Sequence, residues 1–135
     1  MAERAFPLDF SSLVPDSRPR RFLVLPPGFT AAAEPDAISP VFNVAPEALM
    51  DAFIAAGLAE PRTELVHRDS AQAELVQRSL VFRFPDYVTV EVVAQPEASS
   101  ALAIYSRAVL GYSDMGVNAK RVKRWLAATA DRLKD

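Results

Sequence analysis

The side chains most able to do chemistry crowd into one stretch, Tyr105 to Trp125, which reads YSRAVLGYSDMGVNAKRVKRW. It holds Ser106, Arg107, Ser113, Asp114, Asn118, Lys120 and Arg121. The order is an apolar strand, a polar turn flanked by Gly111 and Gly116, then a helix beginning near Val117. Lys120, Arg121, Lys123 and Arg124 fall in the first two turns of that helix, where the helix dipole disfavours cations by roughly 0.3–1 kcal/mol each. Two accounts of this arrangement stand side by side. In the first, free helix-start amides and cations form an anion site for a phosphate, a carboxylate or a lipid headgroup, with the glycines permitting close approach. In the second, the turn is a structural clasp. Asp114 caps the helix start, with Ser113 as the alternative cap, and Arg121 pairs with Asp114 or with Asp86. Asn118 then ties the turn to a neighbouring backbone.

Acid–base and nucleophilic chemistry have fewer candidates. Ser106 and Arg107 are consecutive strand residues and so point to opposite sheet faces. If Leu102 and Ile104 face the helices, Ser106 lies on the buried side as a hydrogen-bonding strut and Arg107 on the other. Ser106 lacks a neighbouring base, because His67 is the only imidazole in the chain and nothing in its spacing brings it near. There is no cysteine, which removes disulfides, thiolate metal ligands and thiol nucleophiles. His67 has only Glu64 and Asp69 close by in sequence, without metal-ligand spacing, so no metal and no cofactor are expected. An enzymatic alternative uses Asp114 or Asp86 as general base beside Arg107 or Arg121, and it requires a carboxylate with a shifted pKa in a cleft.

The chain has 135 residues, half of them apolar, and a formal charge of −2. That length suffices for a real core without staples. The charge gives no global attraction to nucleic acid, and the apolar face of the basic helix, led by Trp125, is needed for packing, so no nucleic-acid partner is expected. No apolar run reaches the ~20 residues that span a bilayer. The polar start Met1-Ala2-Glu3-Arg4 fits a cytoplasmic protein, and it fits equally a chain from which an upstream anchor has been removed.

Residues 1–45 carry seven prolines and five phenylalanines, Phe6, Phe10, Phe22, Phe29 and Phe42. Proline excludes helix, and the aromatics point to an extended arm that packs on the domain formed by residues 46–135. Phe22 to Leu25 is its one strand-like run. Pro46 suits a first helical position, and the apolar spacing from Leu49 to Leu58 predicts a short helix over 46–56 closed by Gly57 as a left-handed cap. Four strands follow, over Arg62–Arg68, Ala73–Phe84, Tyr87–Gln95 and Leu102–Leu110, with Phe84-Pro85-Asp86-Tyr87 as the central turn. Arg78 interrupts an apolar face formed by Val76, Leu80, Phe82 and Phe84, and a bulge near Ser79 would turn it outward. Arg83 and Glu91 are placed to pair across strands. The last helix spans Val117–Leu133. The expected architecture is α+β, a two-layer sandwich: a four-stranded antiparallel meander packed against two helices, with the extended proline-rich arm covering an edge. Arg62 and Thr63, after Pro61, would anchor the first meander strand to the polar turn, so that Arg62, Asp86, Asp114, Asn118 and Arg121 form one cluster.

Several motifs carry a family resemblance. Ser106-Arg107, Gly111-Tyr112-Ser113-Asp114, Gly116-Val117-Asn118 and Lys120-Arg121 resemble the C-terminal signature of the domain-of-unknown-function family numbered 1499, with Pro61-Arg62-Thr63 and Phe84-Pro85-Asp86 matching in order. The resemblance covers roughly residues 40–130. It implies a bacterial, envelope-associated setting for many members, often with an N-terminal cysteine motif that this chain lacks, and it supplies no reaction. The expectation is therefore a non-enzymatic binding or scaffold domain. Its partner would be a small anionic ligand, a lipid or a protein.

Overall fold

The structure, a computed structural model, describes residues 5–134; the polar start at Met1–Arg4 lies outside them. Its elements in chain order are β1 (Arg21–Leu25), β2 (Ala37–Ile38), α1 (Pro46–Leu58), β3 (Thr63–Arg68), β4 (Gln72–Arg78), β5 (Pro85–Gln95), β6 (Ser99–Ala108) and α2 (Val117–Arg132). The class is α+β, and the sheet is larger than a four-stranded meander. It has six strands in the order β2-β1-β6-β5-β4-β3 and is mixed. The meander β3 to β6 is antiparallel throughout, joined by short connections. Beyond it, β1 pairs antiparallel with β6, and β2 pairs parallel with β1. The proline-rich segment thus extends the sheet past β6: Phe22 to Leu25 supplies ladder hydrogen bonds where β6 would otherwise be an open edge.

Both helices lie on one sheet face. There Leu49, Phe53, Ile54, Val122 and Trp125 pack on Val24, Leu75, Val88, Val90, Leu102 and Ile104. The alternation of β6 puts Leu102, Ile104 and Ser106 on this side and Ala103, Tyr105 and Arg107 on the other. The other face is not left to solvent. Leu8, Phe10 and Leu13 cover Leu23, Leu25, Ala103 and Tyr105 in a second core. The Leu8 backbone N–H donates to Gln72 Oε1 at 2.8 Å, and Gln72 Nε2 returns a bond to the Leu8 carbonyl at 2.6 Å.

Several local expectations are corrected by packing. Gly57 does not end α1 in a left-handed conformation; the helix runs on to Leu58. A Cβ on Gly57 would lie 2.8 Å from Trp125 Cζ3, so this glycine is where the indole of α2 presses against α1. β4 stops at Arg78 instead of running to Phe84, and Pro85 opens β5, so the central turn is Ser79–Phe84. Ser79 N–H donates to the Phe84 carbonyl and Phe84 N–H to Ser79 Oγ, closing that loop. Leu80, Phe82 and Phe84 are therefore exposed loop residues, not an inward strand face. Glu91 is matched with Gln72 and not with Arg83, which sits in the loop at φ 59°.

Candidate functional site: a cleft at the strand ends

β4 ends, β5 begins and β6 ends at one extremity of the sheet, with Arg78 opposite Pro85 and Asp86 opposite Ala108. The loops 79–84 and 109–116, the start of α2 and the residues after α1 surround a cleft of about 660 Å³. Of the residues singled out from sequence, Arg62, Asp86, Ser113, Asp114 and Arg121 line it. Asn118 and Ser106 lie beneath it, hydrogen-bonded to its floor. Lys120 is exposed on α2 outside the lining, and Arg107 is on the opposite sheet face.

The floor is built around Arg121, only 5% exposed. Its Nε donates to Gln77 Oε1 at 2.6 Å, and its Nη1 donates to Asn118 Oδ1 at 2.7 Å and Ser106 Oγ at 3.3 Å. Its Nη2 lies 2.9 Å from Asp86 Oδ2. Asn118 and Arg121 are one helical turn apart and so share the face of α2 that meets the sheet. On that sheet, Gln77, Asp86 and Ser106 occupy inward positions of three adjacent strands. Ser106 Oγ itself donates to Asn118 Oδ1 at 2.6 Å, joining β6 to α2. Burial pushes the Asp86 carboxyl up, with the charge of Asp114 adding to the effect and Arg121 opposing it. Burial likewise lowers the Arg121 guanidinium, with Asp86 opposing. Desolvation opposes the mutual attraction of the two charges, as it does in any interior ion pair.

Asp114 is the pin of the turn. Its Oδ1 accepts the Gly116 N–H at 2.8 Å, and its Oδ2 accepts the Asn118 N–H at 3.1 Å and Asn118 Nδ2 at 2.8 Å. Gly116, at φ 84°, lets the chain swing into α2 at an angle that a side chain would oppose. Asn118 Nδ2 also donates to the Arg20 carbonyl and Asp114 N–H to the Pro19 carbonyl, joining the turn to the proline-rich segment. The carboxylate of Asp114 already occupies the helix-start amides of Gly116 and Asn118. An external anion at those amides would have to displace it. Ser113 Oγ accepts the Met115 N–H at 3.1 Å and faces the cleft.

The walls were less legible in the sequence. Arg62, at φ 58°, donates its Nε to the Arg78 carbonyl, while the Arg78 N–H donates to the Arg62 carbonyl. Neither guanidinium has a carboxylate partner among the described residues. Glu60 and Arg124 form a two-pronged pair at 2.9 Å each, and Gln77 Nε2 donates to Glu60 at 3.0 Å. The Arg124 fork chiefly holds the Glu60 carboxyl down to about 2. Phe84, Leu110 and Val117 supply apolar wall. The interruption of an apolar run at Gln77-Arg78 was the available signal for this wall. Glu60 and Arg124 lie 64 residues apart, and nothing local links them.

Arg107 lies on the sheet face opposite the helices, as the alternation sets it, and is fully buried there. Its Nη1 donates to Thr89 Oγ1 at 2.8 Å and to the Tyr105 carbonyl at 2.9 Å, and Glu74 lies 4.0 Å away. His67 is about half exposed and stacks on Phe6 at 5.1 Å.

An α+β sandwich with a cleft at the loop end and a buried arginine–carboxylate floor defines the class of this domain. The chain belongs to the family described as "Protein of unknown function (DUF1499)", whose model matches residues 16–129. A search of curated proteins finds no match.

Proposed function

We propose that this chain is a non-enzymatic binding domain whose cleft takes a small amphiphilic anion, such as an alkyl phosphate or a fatty carboxylate. The resemblance described above adds a bacterial cell-envelope setting to the proposal. One observation carries it: Arg62 and Arg78, cations without carboxylate partners among the described residues, share the cleft wall with Phe84, Leu110 and Val117. Concave sites with an apolar lining and a few convergent polar groups are where small ligands bind, and guanidinium forks match carboxylate and phosphate geometry. Arg121 contributes field from below, while its own donors are engaged by Gln77, Asn118, Ser106 and Asp86. The site is therefore placed on the walls rather than at the α2 amides, which Asp114 occupies. Thermal denaturation with inorganic phosphate and with a short alkyl phosphate tests it. The alkyl phosphate should raise the melting temperature more, and a double change Arg62→Ala/Arg78→Ala should remove the rise. Flat curves with both probes would sink the proposal.

One observation favours a second reading, a small hydrolase-like enzyme. Asp86 lines the cleft with its side chain 14% exposed, and its carboxyl is raised by burial. Raised carboxyls in clefts are characteristic of general acids and bases. Asp114 is the weaker candidate, since its oxygens are engaged by the turn. Turnover of ester or phosphoester substrates that disappears in Asp86→Asn, with folding intact by circular dichroism, would favour this reading; turnover that survives the change would end it.

A further inference from the structure

We infer that the cleft end of the molecule docks on an anionic lipid bilayer surface through the loops 79–84 and 109–116. Fourteen large hydrophobic residues are exposed among those described, and eight of them lie at this one end: Leu80, Val81, Phe82, Phe84, Leu110, Tyr112, Met115 and Val117. The most projecting are Val81 at 74%, Phe82 at 73% and Met115 at 84% exposed. Such a concentration is unlike the scattered single apolar residues of an ordinary surface. Phe82 and Phe84 stack at 5.4 Å with an 18° interplanar angle, so they form one aromatic wedge.

The opposite end of the same strands has a different character. Its turns are Asp69-Ser70-Ala71 and Pro96-Glu97-Ala98, polar and acidic, without large apolar side chains. Loop closure alone therefore does not explain the apolar tips, since two turns of the same sheet do without them.

Charge selects the occupant. Arg83 within the first loop, Arg78 at its base and Lys120 on the first turn of α2 have no carboxylate partner among the described residues. The carboxylates of this end are committed, Asp86 to Arg121, Glu60 to Arg124 and Asp114 to the helix start. What this end offers outward is thus apolar and aromatic tips within a cationic collar, although the whole chain carries −2. Aromatic and aliphatic side chains above basic ones match the acyl boundary and headgroup layers of an anionic bilayer. A second copy fits worse, because a self-complementary contact through these loops would set Arg83 and Lys120 against like charges.

Phe84, Leu110, Val117 and Arg78 are shared with the cleft wall, whereas Leu80, Val81 and Phe82 lie outside its lining and separate this inference from the cleft ligand. Flotation with vesicles of phosphatidylcholine, alone or mixed with phosphatidylglycerol, tests it. The protein should partition onto the mixed vesicles at least about tenfold more strongly than onto neutral ones, and less as salt rises. The triple change Leu80→Ser/Val81→Ser/Phe82→Ser should abolish partitioning while leaving the melting temperature and any phosphate-induced rise intact, and Arg83→Glu should weaken it about tenfold. Absence of vesicle binding at low salt would overturn the inference, as would binding indifferent to the triple change. Concentration-dependent dimerisation that the triple change removes, without vesicle binding, would assign the loops to a second copy and overturn it too.

Discussion

Asp86 and Glu60 are carboxylates on the same cleft whose surroundings drive them in opposite directions. Burial raises Asp86, and a raised folded-state value means that protonation favours the folded state. Its contribution to stability is present below the ordinary aspartate range and is lost as pH rises through the folded value. Glu60 behaves in the opposite sense, because the Arg124 fork holds it down from 4.5 to about 2. Its stabilisation is full above about 4.5 and is lost as pH falls toward about 2. Glu60 is partly open to water, so the effect is screened and amounts to about 1 kcal/mol. Urea denaturation of Glu60→Gln at neutral pH should show that loss, and the difference from the parent should shrink as pH falls below 4.5. A difference independent of pH would mean that the Glu60 charge is not what holds the pair.

At the level of elements, the contact between α1 and α2 turns on Gly57. A helical glycine exchanged for alanine ordinarily stabilises by about 1 kcal/mol. Here the new methyl would meet the Trp125 ring at 2.8 Å and Leu75 Cδ2 at 3.1 Å in a closed core. Overpacking of this kind costs about 1–3 kcal/mol. Gly57→Ala should therefore lower the midpoint of thermal unfolding, and an unchanged or higher midpoint would show that α2 can shift away. The sequence marks Gly57 as a helix breaker because glycine's usual roles are local. The actual role depends on a tryptophan 68 positions further on, which no local pattern connects to it.

The whole molecule depends on a cover for each face of its sheet. Helices protect one, and the segment from Leu8 to Leu13 protects the other. Phe10 is 2% exposed within that second cover, and Phe10→Ala should cost about 3–5 kcal/mol, measured by chemical denaturation. A loss below about 1 kcal/mol would mean that the arm contributes little to folding.

By itself the sequence determined the α+β class, the bounds of α2 to within a residue, the antiparallel meander from β3 to β6, and the alternation that separates Ser106 from Arg107. These follow from periodicity, proline placement and short connections, which are local properties of the chain. It also supplied the motifs of the DUF1499 family and named Asp86, Asp114, Asn118 and Arg121 for the polar cluster at the helix start, whereas Arg62, expected to tie the first meander strand to that turn, bonds to the Arg78 carbonyl instead. Only the tertiary structure decided that Arg121 pairs with Asp86 while Asp114 closes the turn, because both carboxylates are within reach of one guanidinium on sequence grounds. It alone placed β1 beside β6, buried Arg107 on the face opposite the helices, and gathered Arg62, Arg78, Glu60 and Arg124 around one cleft. Those outcomes rest on contacts between residues tens of positions apart, selected by which side chains can be buried together with their hydrogen bonds satisfied.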